Sequence, residues 1–292
     1  MEAMHLPQLA ITNQAFASVQ DILEFCRIHD CPAVEYTFRR GALSREEVAR
    51  EIPDVEMLRG AGLFLRYHLA FPGFDLGHPD PARAREAVDF HLFCLGLVAD
   101  QGGDRVTLHI GLDRALRGRV DYAAAVRGLR EVTSEGERLG VRVCLENLRL
   151  GRTGDPRQFQ SLLAHSGAFA TLDVGHARAR ELASAVPGCA LDFIPRCNGR
   201  LLGAHVYEIE AATHPGGPAR HMAPRDLTAI RSLLDAMVWE TSCDWWLIEL
   251  TDAREMAHTL QLLRRYRDGI GTRAAMPVSS AVTPHTNHKE LA

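Results

Sequence analysis

Nine side chains able to bind a metal or move a proton stand in or beside short apolar runs: Glu35 in AVEYTF, His68 in GLFLRYHL, His109 in RVTLHI, Glu146 ending VRVCLE, Asp173 ending ATLD with His176 just beyond, His205 in LLGAHV, Glu249 in WWLIEL, and His221 in THPGGPARHMAP. Taken singly, a histidine in such a place is more often a hydrogen-bonded core residue, and a carboxylate more often a salt-bridge partner or helix cap. Gathered around one mouth, they would repel or desolvate one another unless a positive charge sat among them. A divalent cation is the simplest one. Imidazoles with carboxylates and no thiolate suit zinc, manganese or iron, because magnesium and calcium prefer oxygen alone.

Bringing these residues to one mouth requires a particular scaffold, and the chain supplies its parts. Strands are expected at 8–13, 33–38, 62–69, 105–110, 141–146, 170–173, 201–206 and 245–250. Between them lie helical patterns. In 18–29 the apolar residues Val19, Ile22, Leu23, Phe25, Cys26 and Ile28 are spaced for one face. Ser44 with Glu47 has capping-box spacing, Gly140 is placed to stop the helix at 121–139, and Asp155 caps a helix with Pro156 at its first position. Further helices are expected at 81–100, around 178–185, at 226–239 and at 252–266, with Gly- and Pro-rich loops near 71–81 and 213–224.

Eight strand–helix pairs whose strands read as continuous apolar runs point to the α/β class and a (β/α)8 TIM barrel. One domain is expected over residues 1–268, and the polar stretch 269–292 is expected to be a disordered tail. A doubly wound sheet is the runner-up, but no GxGxxG or GxxxxGK[ST] follows the first strand. In a TIM barrel the chemistry sits at the C-terminal ends of the strands, where these residues stand.

Composition narrows the partners. The 292 residues are 46% hydrophobic and 24% charged, enough for a large core. A net charge of −4 argues against an obligate nucleic-acid partner, because neutralising phosphates needs a basic face. The seven cysteines are odd in number and lack CxxC spacing, as expected of free thiols in a reducing compartment. The start MEAMHLPQLAITN lacks a signal-peptide pattern and no apolar run is long enough to span a membrane, so a cytoplasmic protein is expected.

The segments ENL, LDVGHA, AHV and IEL, in this order and spacing, resemble the superfamily of endonuclease IV and the xylose isomerase-like sugar epimerases, the AP endonuclease 2 family. The likeness covers almost all of residues 5–268. It implies that Glu146, Asp173, His205 and Glu249 are the four metal ligands common to both branches, with Glu146 and Glu249 as the catalytic, proton-moving residues of the epimerase branch. The endonuclease IV branch adds equivalents of His68 and His109, which with Glu146 as a bridge make a second site, and a third site that includes His176 and His221. The family's aspartate two places before its last histidine is Ala219 here, which leaves that third site open.

Retained His68 and His109 turn the expectation toward two zinc or manganese ions and phosphodiester hydrolysis, in which paired cations ~4 Å apart activate water and stabilise the leaving oxygen. The expected substrate is a small nucleotide-containing phosphodiester, similar at subgroup level to those of cobamide-remodelling phosphodiesterases. A single-metal sugar or sugar-phosphate isomerase or epimerase is the alternative. An abasic-site DNA endonuclease fits an acidic chain less well. Glu35 is expected to be structural or to back the ligands, and the expected partner is the small-molecule substrate, with no obligate nucleic acid, no membrane and the oligomeric state left open.

Overall fold

The apolar runs pair side by side and close on themselves. The computed structural model describes residues 6–275 apart from 39–43, 114, 117, 198, 215 and 216. The strands among the described residues are β1 (Gln8–Thr12), β2 (Ala33–Thr37), β3 (Phe64–Leu69), β4 (Arg105–Leu108), β5 (Arg142–Glu146), β6 (Phe169–Asp173), β7 (Leu201–His205), β8 (Ile209–Ala212), β9 (Ala219–Met222) and β10 (Trp245–Ile248). Eight of them form a closed parallel barrel in the order β1-β10-β7-β6-β5-β4-β3-β2, while β8 and β9 make a separate antiparallel hairpin. With helices between successive strands, this is the expected (β/α)8 TIM barrel.

Strands covered on both faces need apolar sequence throughout rather than alternation. Every residue of β2 and β10 is accordingly buried. The surrounding helices start where short polar side chains can take their first free N–H groups. Ser18, Ser44, Asp80, Asp121 and Asp155 each accept a backbone N–H of the first turn, and Gly140 ends the helix Tyr122–Leu139 at φ 75°.

The stretch expected to be a loop between the last two barrel strands carries the β8/β9 hairpin, in which Glu210 lies opposite His221. The helix expected at 226–239 begins at Arg231. The final helix, Ala253–Ala275, runs past the point where the tail was expected to begin. The first proline after its start is Pro277, so nothing earlier removes a backbone N–H. The rest of that tail lies outside the described residues. All seven cysteines are free thiols, and no helix among the described residues is long and apolar enough to cross a membrane.

Buried charge also occupies the lower, N-terminal end of the barrel. Arg105 on β4 is 3% exposed and donates to Asp244 at 2.8 Å, while Arg66 on β3 donates to the same oxygen at 3.1 Å.

Candidate metal centre

Four consecutive barrel strands each deliver one candidate ligand to the upper rim. Glu146, Asp173 and His205 are the last residues of β5, β6 and β7, and Glu249 directly follows β10, the neighbour of β7. The register sets Asp173 beside His205. All four are buried, with Glu249 the most exposed at 3%.

His205 Nδ1 lies 3.0 Å from Glu146 Oε2 and 3.2 Å from Glu249 Oε2. Ligand atoms of all four residues fall within 4.8 Å of one another. Donors on one cation at bonds of ~2.1 Å sit about 3.0 Å apart along octahedral edges and about 3.4 Å apart along tetrahedral ones. This ring therefore fits one divalent cation. Glu146 Oε2 and His205 Nδ1 point the same way: both are buried and face each other, yet neither is aligned in a hydrogen bond. Leaving such atoms unsatisfied is costly, and a shared cation would satisfy both.

His68, on β3, and His109, just past β4, approach the same Glu146 oxygen as His205, at 3.4 and 3.6 Å from Oε2. Their two Nε2 atoms are hydrogen-bonded to each other at 2.7 Å. With Glu146 the two histidines form a second group whose ligand atoms lie close enough together to hold a metal ion.

A third group surrounds Asp173, which is the N-cap of the helix Val174–Ser184. Its Oδ1 accepts from the His176 N–H at 2.6 Å and its Oδ2 from the Tyr207 hydroxyl at 2.9 Å. Asn147 ties the β5 end to β6, accepting from the Asp173 N–H and donating to the Asp173 carbonyl. Gly175 is needed here, because a Cβ at that position would overlap the Tyr207 ring. His221 stacks on Tyr207 with ring centroids 3.9 Å apart. His176 and His221 each direct Nδ1 at a backbone carbonyl, Asn147 O at 3.0 Å and Glu249 O at 2.8 Å. A carbonyl only accepts, so Nδ1 carries the proton in both rings and Nε2 keeps a lone pair.

Asp173, His176 and His221 thus come together, while Ala219 contributes no carboxylate. The nearby carboxylate is instead Glu210, whose Oε2 lies 3.6 Å from His176 Nε2 and 3.0 Å from Arg149 Nε. Sequence reasoning missed Glu210, Arg149 and Tyr207. Reading THPGGP as the turn of a hairpin would have placed Glu210 opposite His221. The remaining expected residue, Glu35, accepts from His205 Nε2 at 2.9 Å and from the Trp245 indole at 2.8 Å. A cavity of about 550 Å³ opens beside the ring, lined among others by Glu146, His176, Glu249, Arg149 and Glu210, a size suited to a small molecule.

Burial and charge push the two glutamates apart. Burial raises the Glu146 pKa to about 7 despite nearby His205. Burial acts the same way on Glu249, but His221 and His205 outweigh it and hold that carboxyl well below its usual range. Burial opposes protonation of His205, yet Glu146, Glu35 and Glu249 together raise its pKa well above the ordinary value. Asp173 is raised by burial, with His176 the main opposing neighbour.

The sequence pattern of the xylose isomerase-like TIM barrel family matches residues 14–266. The chain belongs to this family. MJ0008, an uncharacterized protein of Methanocaldococcus jannaschii, is 28% identical over 166 residues, which are 57% of this chain and 68% of that protein. Among solved structures, L-ribulose 3-epimerase aligns with a TM-score of 0.69 at 17% identity, covering 96% of this chain and all of the other. A D-tagatose 3-epimerase-like protein aligns at 0.68 and 14% identity over 92% of this chain and all of the other. D-psicose 3-epimerase aligns at 0.64 and 15% over 90% and 99%.

These likenesses overturn the phosphodiesterase expectation and its cobamide version, because the similar solved structures include proteins named as L-ribulose, D-tagatose-like and D-psicose 3-epimerases, in line with the sugar epimerase alternative. The physical reason lies in His68 and His109. They do gather beside Glu146 in a group able to hold a metal ion, but ligands alone do not determine which bond a cation helps to break.

Proposed function

We propose that the protein is a divalent-metal-dependent isomerase or epimerase of a keto sugar or sugar phosphate, with one cation in the four-residue ring. The observation that carries this reading is the pair Glu146 and Glu249, which lie 3.0 and 3.2 Å from one histidine nitrogen and both line the cavity. The resemblance of the barrel to proteins named for 3-epimerisation of ribulose, tagatose and psicose supports it.

Glu146, Asp173, His205 and Glu249 would hold the cation, and their three carboxylates and one imidazole suit manganese or zinc. When bound, it supplies a Lewis acid that polarises a substrate carbonyl and acidifies the adjoining C–H. The Glu249 carboxylate takes that proton, and Glu146, the other carboxylate lining the cavity, returns one to the substrate. Transfer between faces inverts the carbon; return by the same carboxylate to the neighbouring atom isomerises the sugar. Asp173 is held by Tyr207 and the His176 N–H, so it binds rather than moves a proton.

The test uses protein reconstituted with Mn²⁺, incubated in D2O with a panel of ketopentoses, ketohexoses and their phosphates, and read by NMR. Deuterium should enter the carbon beside the carbonyl of at least one sugar, and Glu249→Gln should abolish it. No exchange in any member of the panel would overturn the reading.

A further inference from the structure

His205 has one ring nitrogen facing the metal ring and the other facing into the barrel, and the inward side is fully built. Glu35 reaches from β2 to His205 on β7, three strands away around the barrel. Its second oxygen accepts from Trp245 of β10. The indole is itself held in place, since the Arg66 guanidinium stacks over it at 4.2 Å and Arg66 is anchored on Asp244. Every member except Asp244 is buried or nearly so.

An indole N–H only donates, so the Glu35 oxygen facing Trp245 must accept. The other oxygen then meets His205 Nε2, and a carboxylate there requires the proton on Nε2. We propose that the Trp245–Glu35 column is a positioning device that keeps the His205 proton on Nε2 and presents the Nδ1 lone pair to the cation. This inference rests on the metal centre and not on which sugar is turned over. Hydrogen-bonded partners behind a ligating imidazole set its tautomer and ring angle, and losing them typically costs 10–100-fold in metal affinity.

The donor pattern makes the device testable through rescue. In Glu35→Gln the amide has one oxygen for two donors. If that oxygen turns to Trp245, the NH2 group faces His205 Nε2 and drives the ring proton to Nδ1, into the metal ring. Removing the competing donor with Trp245→Phe lets the oxygen turn back. Mn²⁺ dissociation constants measured by calorimetry at fixed pH should therefore weaken about 10–100-fold in Glu35→Gln and recover most of that loss in Glu35→Gln/Trp245→Phe. A packing role alone makes the double variant weaker than either single one. That result, or an unchanged constant in Glu35→Gln, overturns the proposal.

If the variants fail to fold, the wild-type protein loaded with Zn²⁺ and labelled with ¹⁵N decides it. A single His205 ring proton on Nε2, slow to exchange, is expected, and a ring proton on Nδ1 overturns the inference. Failure of the wild type to bind Mn²⁺ would overturn the metal centre along with it. Normal metal behaviour without deuterium exchange would sink only the proposed sugar chemistry.

Discussion

The two ends of the barrel both bury charge, and they balance it with different cations. At the lower end Asp244 is met by the guanidinium groups of Arg105 and Arg66. At the upper end Glu146 and Glu249 face His205, and Asp173 faces His176. Arginine stays charged at any physiological pH, so the lower cluster is neutralised permanently. Imidazole can release its proton and offer a lone pair, so the upper cluster can exchange protons for a metal ion. The same contrast of stability below and chemistry above is general for TIM barrels.

Activity should break the symmetry most sharply. Glu249→Gln and Glu146→Gln should each lower kcat by about 10²–10⁴ on any ketose that shows exchange, the usual contribution of a positioned acid or base. Asp244→Ala should lower kcat by no more than about tenfold, since it reaches the metal centre only at a distance, through Arg66, Trp245 and Glu35. Equal losses at both ends, measured by steady-state kinetics, would dissolve the distinction.

Stability should show the reverse. Asp244→Ala strands Arg105 without its partner and should cost about 3 kcal/mol in urea denaturation, at the low end for a broken buried pair because Asp244 is part exposed. Within the upper end, Gly175→Ala should cost about 2 kcal/mol by driving Tyr207 off Asp173. Urea melts that find Asp244→Ala the milder of the two would reverse the ranking.

pH separates the ends by sign. Burial raises the Asp244 pKa, but Arg105 and Arg66 outweigh it and the net shift is downward. Its contribution is present above the ordinary value of 3.8 and is lost as pH falls through the lower folded value. Glu146 and His205 are both raised. In metal-free protein their contributions are complete below the ordinary values of 4.5 and 6.5, and they fade as pH rises through about 7 and beyond. A cation must displace those protons, so its affinity should rise by up to about tenfold per pH unit for each proton released near neutrality. Thermal melts from pH 5 to 9 should show the smallest gain from Mn²⁺ at the acid end. A larger gain at pH 6 than at pH 8 would contradict the assignment.

The sequence revealed the barrel and the ring together because they have one cause. A parallel strand buried on both faces must be apolar, so an acid or histidine at its end is conspicuous, as in VRVCLE and LLGAHV. Side-chain pairing was not visible in this way. Whether His68 and His109 turn toward separate ions or toward each other depends on rotamers set by neighbours far along the chain. Glu210 was hidden because IEAA and ARHM are too short and unpatterned to announce strands. The Glu35 contacts with His205 and Trp245 join residues 170 and 210 positions apart, which only closure of the barrel brings together.

The one-cation ring is tested most directly by elemental analysis of protein purified without chelator, alongside His109→Gln and Asp173→Asn. One divalent metal per chain is expected in the wild type and in His109→Gln, and none in Asp173→Asn. Two metals in the wild type with one lost in His109→Gln, or a metal that survives Asp173→Asn, would contradict it.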